Sequence, residues 1–204
     1  ATVALLAPRY KIVACGRNTA QLEALKATYP DTIHTLTFDV RDKSAINEAI
    51  SSLPEAYKNI DILINNAGNA HGLATFDDAD MKDLEAMIDI NVNGVIYVSK
   101  AVLSLMYQSH APIIINISSI AGKETYMNGT TYCASKAAVE ALTKGMRMDL
   151  GAKGFRVASI APGAVATNFS MVRFKGDMER SSKVYEGYEP LQAEDIANSI
   201  DDIV

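Results

Sequence analysis

One run of residues constrains this chain more than any other: Ile113-Ile114-Ile115-Asn116-Ile117. Four of its five side chains are apolar and β-branched, and they do not alternate with polar ones. A strand of that composition has no face to offer water, so it belongs inside a sheet covered on both sides. Such sheets are parallel, and each parallel neighbour is reached by a crossover, usually a helix. The rest of the sequence supplies that alternation. Strand patterns fall at residues 10–15, in IHTLTFDV ending at Asp39, at 60–64 and at 156–160. Helical patterns fall at 19–27, 44–53, 81–107 and about 131–150. The expectation is an α/β fold, a doubly wound parallel sheet with helices on both faces, in a single domain over residues 1–204.

Composition narrows the partners. Hydrophobic residues make up 49% and charged ones 21%, enough for a real core. A net charge of −5 and a pI near 5.2 argue against nucleic acid or an anionic membrane surface. Two cysteines, Cys15 and Cys133, make no disulfide framework, so a reducing, cytoplasmic setting is expected, with both thiols as small buried hydrophobes. The three histidines, His34, His71 and His110, lack ligand spacing, so no metal is expected. No apolar run approaches the ~18 residues of a membrane span. The first nine residues read as the tail of an amphipathic helix, with no signal-peptide pattern.

The isoleucine run ends in Ser118 and Ser119, followed by a loop and then a helix carrying Tyr132 and Lys136 one turn apart on the same face. Open α/β sheets bind ligands outside the C-terminal ends of their strands. A hydroxyl, a phenol and an ammonium can therefore converge there. Free tyrosine ionises near about pH 10, and a neighbouring ammonium favours the phenolate and lowers that value. Tyr132 is then a candidate general acid/base, with Ser119 holding a substrate carbonyl or hydroxyl. None of the three accepts a hydride, so redox chemistry would need a cofactor. Taken alone, the same residues also read as a packed ring, a solvated helix lysine and a turn cap.

The arrangement resembles the short-chain dehydrogenase/reductase family, which joins such a serine to a Tyr-x-x-x-Lys helix on a Rossmann-type sheet. The likeness runs from about residue 10 to 200. It implies catalytic roles for Ser119, Tyr132 and Lys136, and for Asn91 as a fourth residue that distorts its helix and helps hold a water linked to the lysine. Asn91 also reads as an ordinary cap or helix-break residue.

Further matches concern a dinucleotide. Asn66, Ala67 and Gly68, in the turn Asn65-Asn66-Ala67-Gly68 after a strand, resemble the family's turn beside the adenosine half of the cofactor. Asp39 and Val40 resemble the pair that meets the adenine. Pro162, Gly163 and Val165 resemble its loop beside the nicotinamide, and Thr167 a position that bonds the carboxamide. The resemblance implies that Tyr132 and Lys136 also touch the cofactor. An NAD enzyme usually carries a carboxylate at the end of the strand at 10–15. This chain has Gly16 and then Arg17, and an arginine suits a 2′-phosphate. NADP(H) is the expected cofactor, the alternative being an exposed turn arginine. The family's Gly-rich turn has no counterpart before residue 10, nor its last strand after Val204. The expectation is a whole protein heavier than 22.0 kDa, with these elements outside the stretch read here.

The implied activity is hydride transfer between NADP(H) and a carbonyl/alcohol pair. The segment FSMVRFKGD resembles a branch of NADP-dependent 3-hydroxy acid (serine-type) dehydrogenases, which points to small 3-hydroxy acids. Ser119, Tyr132 and Arg173 are the expected substrate contacts, with Arg173 suited to a carboxylate. Residues 170–189 are polar without a strand pattern and are expected to form a substrate lid, or else a plain surface helix pair. Arg173 is then a lid residue at the surface. Two other readings remain: a reductase of another carbonyl class (3-oxoacyl thioester, sugar or xenobiotic ketone) and a non-catalytic NADP-binding regulator. A homotetramer through the long helices is expected from the family.

Overall fold

The computed structural model describes residues 1–183, 187 and 189–204. Helix α1 (Thr2–Leu6) leads into β1 (Ile12–Gly16), α2 (Thr19–Thr28), β2 (Ile33–Thr37), α3 (Lys43–Ser51) and β3 (Ile62–Asn65). Then come α4 (Met81–Ile88), a π-helical turn (Asp89–Asn93), α5 (Gly94–Met106), β4 (Ile113–Ile117), α6 (Thr130–Gly151) and β5 (Arg156–Ile160). The last elements are β6 (Val165–Ala166), α7 (Phe169–Arg173), α8 (Met178–Lys183), β7 (Leu191–Gln192) and α9 (Ala193–Asp201).

All pairings are parallel. β1 pairs with β2, while β4 lies between β3 and β5 with Ile114 opposite both Leu63 and Val157. The two ladders are not hydrogen-bonded to each other, but they share their cores. On one face Leu36 of β2 and Phe38 just after it meet Leu63, Ile114 and Val157 over Ile46 of α3 and Val102 and Met106 of α5. On the other, Ile12 joins Ile62, Ile113 and Ile115 under Leu6 of α1 and Ile200 of α9. Successive isoleucines of β4 thus point into opposite cores, because side chains alternate along a strand. Both cores exclude water, which is why the run needs no polar face.

Three expectations need correction. The strand before Asp39 stops at Thr37, so Asp39 stands two residues beyond it in the loop. Cys133 is buried but Cys15 is exposed. The stretch Met81–Met106 does reach membrane-span length and apolarity by composition, contrary to the reading of the sequence. Its apolar residues Met87, Val95, Val102 and Met106 are buried inside this fold.

Residues 167–190 are bracketed by the short β6–β7 ladder, in which Val165 pairs with Leu191. The segment expected to act as a lid therefore leaves and re-enters the fold at one place. It begins with two short helices, α7 and α8. Residues 184–186 and 188 of that segment lie outside the described residues.

Candidate active site

Helix α6 builds the site through the same stripe that anchors it. Its buried residues Tyr132, Ser135, Lys136, Val139 and Thr143 recur at helical spacing, so the chemistry-bearing positions are also core positions. Gly122 lets the helix approach β4 and its following turn. A methyl group there would lie 2.7 Å from the Lys136 carbonyl oxygen.

β4 delivers Ser119 two residues past its end. The serine backbone is extended, and its hydroxyl caps the turn Ile120–Gly122 by accepting from the Ala121 N–H at 3.2 Å. The Ser119 hydroxyl donates to the Pro162 carbonyl at 3.4 Å and lies near enough to the Tyr132 phenol to favour its ionised form. Ser119 and Tyr132 are each 8% exposed, and Lys136 5%. Lys136 Nζ donates to the Ile117 carbonyl at 2.9 Å. Burial alone lowers its pKa from 10.5 to about 8.

The expected lowering of the tyrosine pKa by Lys136 is not found. Burial pushes the Tyr132 phenol above its ordinary value, against the smaller opposing effect of the nearby Ser119 hydroxyl. Lys136 is not among the groups that shift it in this cofactor-free state; its ammonium donates to the Ile117 carbonyl and is itself disfavoured by desolvation.

Asn91 occupies the π-helical turn between α4 and α5 and is 1% exposed. A π-turn inserts an extra residue and re-aims side chains, a device common at functional sites. Here the Asn91 amide reaches out of its own helix. Its Oδ1 accepts from the Asn69 N–H at 2.8 Å, and its Nδ2 donates to the Asn69 carbonyl at 2.8 Å and to Ser135 Oγ at 2.9 Å. Ser135 Oγ in turn donates to the Tyr132 carbonyl at 2.7 Å. Asn91 thus ties the turn after β3 to the helix bearing Tyr132 and Lys136. Gly68 completes the contact, since a Cβ on it would stand 3.1 Å from Lys136 Nζ and 3.3 Å from Asn91 Oδ1.

The other predicted positions gather at the same ends of the strands. Gly16 ends β1 and Arg17 follows with an exposed side chain, 3.5 Å from the Asp39 carboxylate. Arg41 grips that carboxylate more closely, through Nη2 at 2.7 Å and Nε at 3.1 Å to both oxygens. Asp39 is accordingly held at about 2, below its ordinary 3.8, chiefly by the Arg41 hydrogen bonds. Val40 packs against Gly94, where any Cβ would come within 2.8 Å. Asn66, Ala67 and Gly68 form the turn after β3. Pro162 accepts from the Ile120 N–H at 3.0 Å, joining the loop after β5 to that after β4, and Gly163 follows. Val165 lies in β6, and Thr167 Oγ1 accepts from the Phe169 N–H at 3.2 Å at the start of α7.

Beside Tyr132 opens a small cleft of about 40 Å³, continuous with solvent. Its walls include His71, Gly72, Asp83, Met87, Tyr132 and Arg173. Arg173 donates from Nε to the Gly72 carbonyl at 3.1 Å and from Nη2 to the Tyr126 hydroxyl at 3.0 Å, and its guanidinium lies 5.7 Å from the Tyr132 ring centroid. Lys175 pairs with Asp83 of α4 at 2.8 Å. Through Arg173 and Lys175 the start of the 170–189 segment is fastened to the wall of this cleft.

Sequence reasoning missed Arg41, Asn69, His71, Tyr126 and Ser135. Arg41 carried a signal, standing two residues beyond Asp39 at a strand end. Asn69 and His71 directly follow the small-residue turn after β3. Nothing in the local sequence marks Tyr126 or Ser135.

Comparison with known proteins identifies the family. A short chain dehydrogenase family profile matches residues 1–177. The serine 3-dehydrogenase of Rhizobium radiobacter is 39% identical over 191 residues, covering 94% of this chain and 76% of the relative. The NADP-dependent 3-hydroxy acid dehydrogenase YdfG of Salmonella typhi is 43% identical over 192 residues, covering 94% and 77%. Among solved structures, the closed form of a serine dehydrogenase complexed with NADP+ superposes with a TM-score of 0.94 at 39% identity, covering 98% of this chain and 81% of that one. By these matches this chain belongs to the short-chain dehydrogenase family.

Proposed function

We propose that this protein is an NADP(H)-dependent oxidoreductase that interconverts a small 3-hydroxy acid and the corresponding carbonyl compound. One observation carries the reading: Arg173, a fixed cation suited to a carboxylate, lies 5.7 Å from the ring centroid of Tyr132, whose phenol is influenced by the nearby Ser119 hydroxyl. Substrate charge and substrate oxygen would then be held on two sides of one aromatic ring.

The strand ends suit a dinucleotide. Gly68 leaves bare backbone beside Lys136 and Asn91, and Arg17 and Arg41 set two guanidiniums against the single Asp39 carboxylate. That surplus positive charge suits a 2′-phosphate. Asp39 and Val40 would face the adenine, and Asn66, Ala67 and Gly68 the adenosine half. Tyr132 and Lys136 would hold the nicotinamide ribose, and Pro162, Gly163, Val165 and Thr167 would flank the ring. When bound, the cofactor supplies or takes up a hydride at the substrate carbon.

The chain's own residues manage the oxygen and its proton. Ser119 holds the substrate oxygen by hydrogen bond. Tyr132 gives its phenolic proton to that oxygen in reduction and takes it back in oxidation. Lys136, kept cationic below about pH 8, supports the phenolate that results. Asn91 fixes the turn after β3 against the tyrosine helix and stands beside the proton path. Residues 170–189 act as a lid, and residues 1–204 as one dinucleotide-binding domain. A cytoplasmic setting and a homotetramer go with this reading. Unpaired cysteines support the first. Exposed Met81, Ile88 and Ile96 on the long helix and Met148 on α6 support the second.

Assay of L-serine, 3-hydroxyisobutyrate and a bulky ketone with NADP(H) and NAD(H) tests the reading. Turnover of the hydroxy acids with a preference for NADP(H) is expected. A strong preference for the bulky ketone would select a different carbonyl class, and tight NADPH binding without any turnover would select a regulator.

A further inference from the structure

His71 has no part in the proton chemistry above, yet it lines the cleft beside Tyr132 and Arg173. Its ring is fixed from one side, with Nε2 2.7 Å from Asn69 Nδ2. With the Asn69 amide in this orientation its nitrogen donates, Nε2 accepts and the ring proton is assigned to Nδ1, while Asn69 Oδ1 is also left without a partner among the described residues. That Nδ1 is screened from solvent and has no hydrogen-bond partner among the described residues. Buried donors in native proteins are nearly always paired, so an unpaired one marks a place where something else bonds.

The backbone around His71 is held on both sides. Asn69 exchanges two hydrogen bonds with Asn91, and Gly72 exchanges two with Arg173: Gly72 N–H donates to the Arg173 carbonyl at 2.8 Å, and Arg173 Nε to the Gly72 carbonyl at 3.1 Å. Gly72 has φ +65°, the left-handed turn that brings the chain round between the two clamps. The histidine is thus set between the Asn91 strut and the Arg173 cation. Arg173 uses Nε and Nη2 on the protein, which leaves Nη1 with no hydrogen bond to the described residues. The negative groups on the cleft wall are already engaged. Asp83 pairs with Lys175, and Asp80 caps α4 by accepting from the Lys82 N–H at 2.9 Å. Burial disfavours the charged imidazole and keeps His71 in the neutral tautomer.

We propose that His71 is a specificity-determining residue, its Nδ1–H and the Arg173 guanidinium together binding the carboxylate of a small hydroxy-acid substrate in this cleft. The assignment rests on the hydroxy-acid reading of the site and deepens it. Arg173 supplies charge, while His71 supplies a directional donor held in register with the catalytic turn through Asn69.

The test compares 3-hydroxyisobutyrate with its methyl ester in the wild type, His71→Leu and His71→Gln. The acid-to-ester ratio of kcat/KM is internal to each variant and insensitive to the fraction folded. In His71→Leu it should fall about tenfold or more, mainly through the KM for the acid, with kcat moving less. His71→Gln keeps an N–H donor and should restore most of the ratio. A ratio in His71→Leu within about twofold of wild type, or equal impairment in His71→Gln, overturns the assignment while leaving the hydroxy-acid reading standing. A wild type that turns over neither compound but reduces other ketones overturns both.

Discussion

Asn91 and Asn69 hold each other through a closed pair of hydrogen bonds: the side-chain amide of the first pairs with both backbone polar groups of the second, each at 2.8 Å. A buried side chain thus does for the turn after β3 what a neighbouring strand would do for a sheet edge. The same amide reaches Ser135, so the turn, the π-helical break and the tyrosine helix form one rigid unit.

Removing that amide leaves a buried N–H and a buried carbonyl of Asn69 without partners, each at a cost of about 1–3 kcal/mol. Asn91→Ala should lower the unfolding free energy by roughly 2–4 kcal/mol, with the denaturant slope unchanged. Urea denaturation followed by circular dichroism measures it. A loss below about 0.5 kcal/mol would mean that the clamp contributes nothing.

Tyr132→Phe removes only the phenolic oxygen from a ring packed among Met87, Ala121, Cys133 and Phe169. Folding and NADPH binding, followed by fluorescence titration, should persist. Turnover should fall by about 10²–10⁴, the usual worth of a positioned acid/base. Survival of more than a tenth of the wild-type rate would refute the proton-transfer role.

Arg17 is the more exposed of the two guanidiniums at Asp39, with Arg41 making the closer bonds. Arg17→Ala should therefore raise the KM for NADPH by about tenfold, the scale of a lost charge-assisted contact, while that for NADH moves little. Steady-state kinetics with both cofactors decide the point; equal effects on the two would remove the 2′-phosphate from this corner.

Lys136 predicts a stability profile for the cofactor-free protein. Folding lowers its pKa from 10.5 to about 8, so folding disfavours the charged form. Below about pH 8 the folded and unfolded chains both carry the proton, and the full penalty is present. Between 8 and 10.5 the unfolded chain binds more protons than the folded one, so stability rises with pH. Lys136→Met has no such term. The stability of Lys136→Met relative to wild type should thus decline from pH 7 to pH 9.5 in paired urea titrations. A difference independent of pH would place the lysine in a solvated setting.

Much of this protein is written locally. An unbroken isoleucine run has to be covered on both faces, and a strand so covered takes parallel partners; that physics lay open in residues 113–117 and in the alternation around them. The strand-end positions of Gly68, Ser119 and Pro162, and the one-turn spacing of Tyr132 and Lys136, were legible for the same reason, since period and punctuation are properties of neighbouring residues. The family resemblance then supplied roles for those positions that spacing alone could not.

What the tertiary structure decided were quantities that depend on groups distant in sequence. Burial, not the lysine one turn away, governs the Tyr132 phenol, because desolvation is summed over all the elements packed around it. Arg173 lies beside Tyr132 because its backbone is bonded to Gly72, 101 residues earlier. His71 and Asn69 show no motif, and they matter only because a π-turn 22 residues downstream of Asn69 turns Asn91 toward them. Periodicity reports which side of an element faces inward, but only folding determines which groups it meets there.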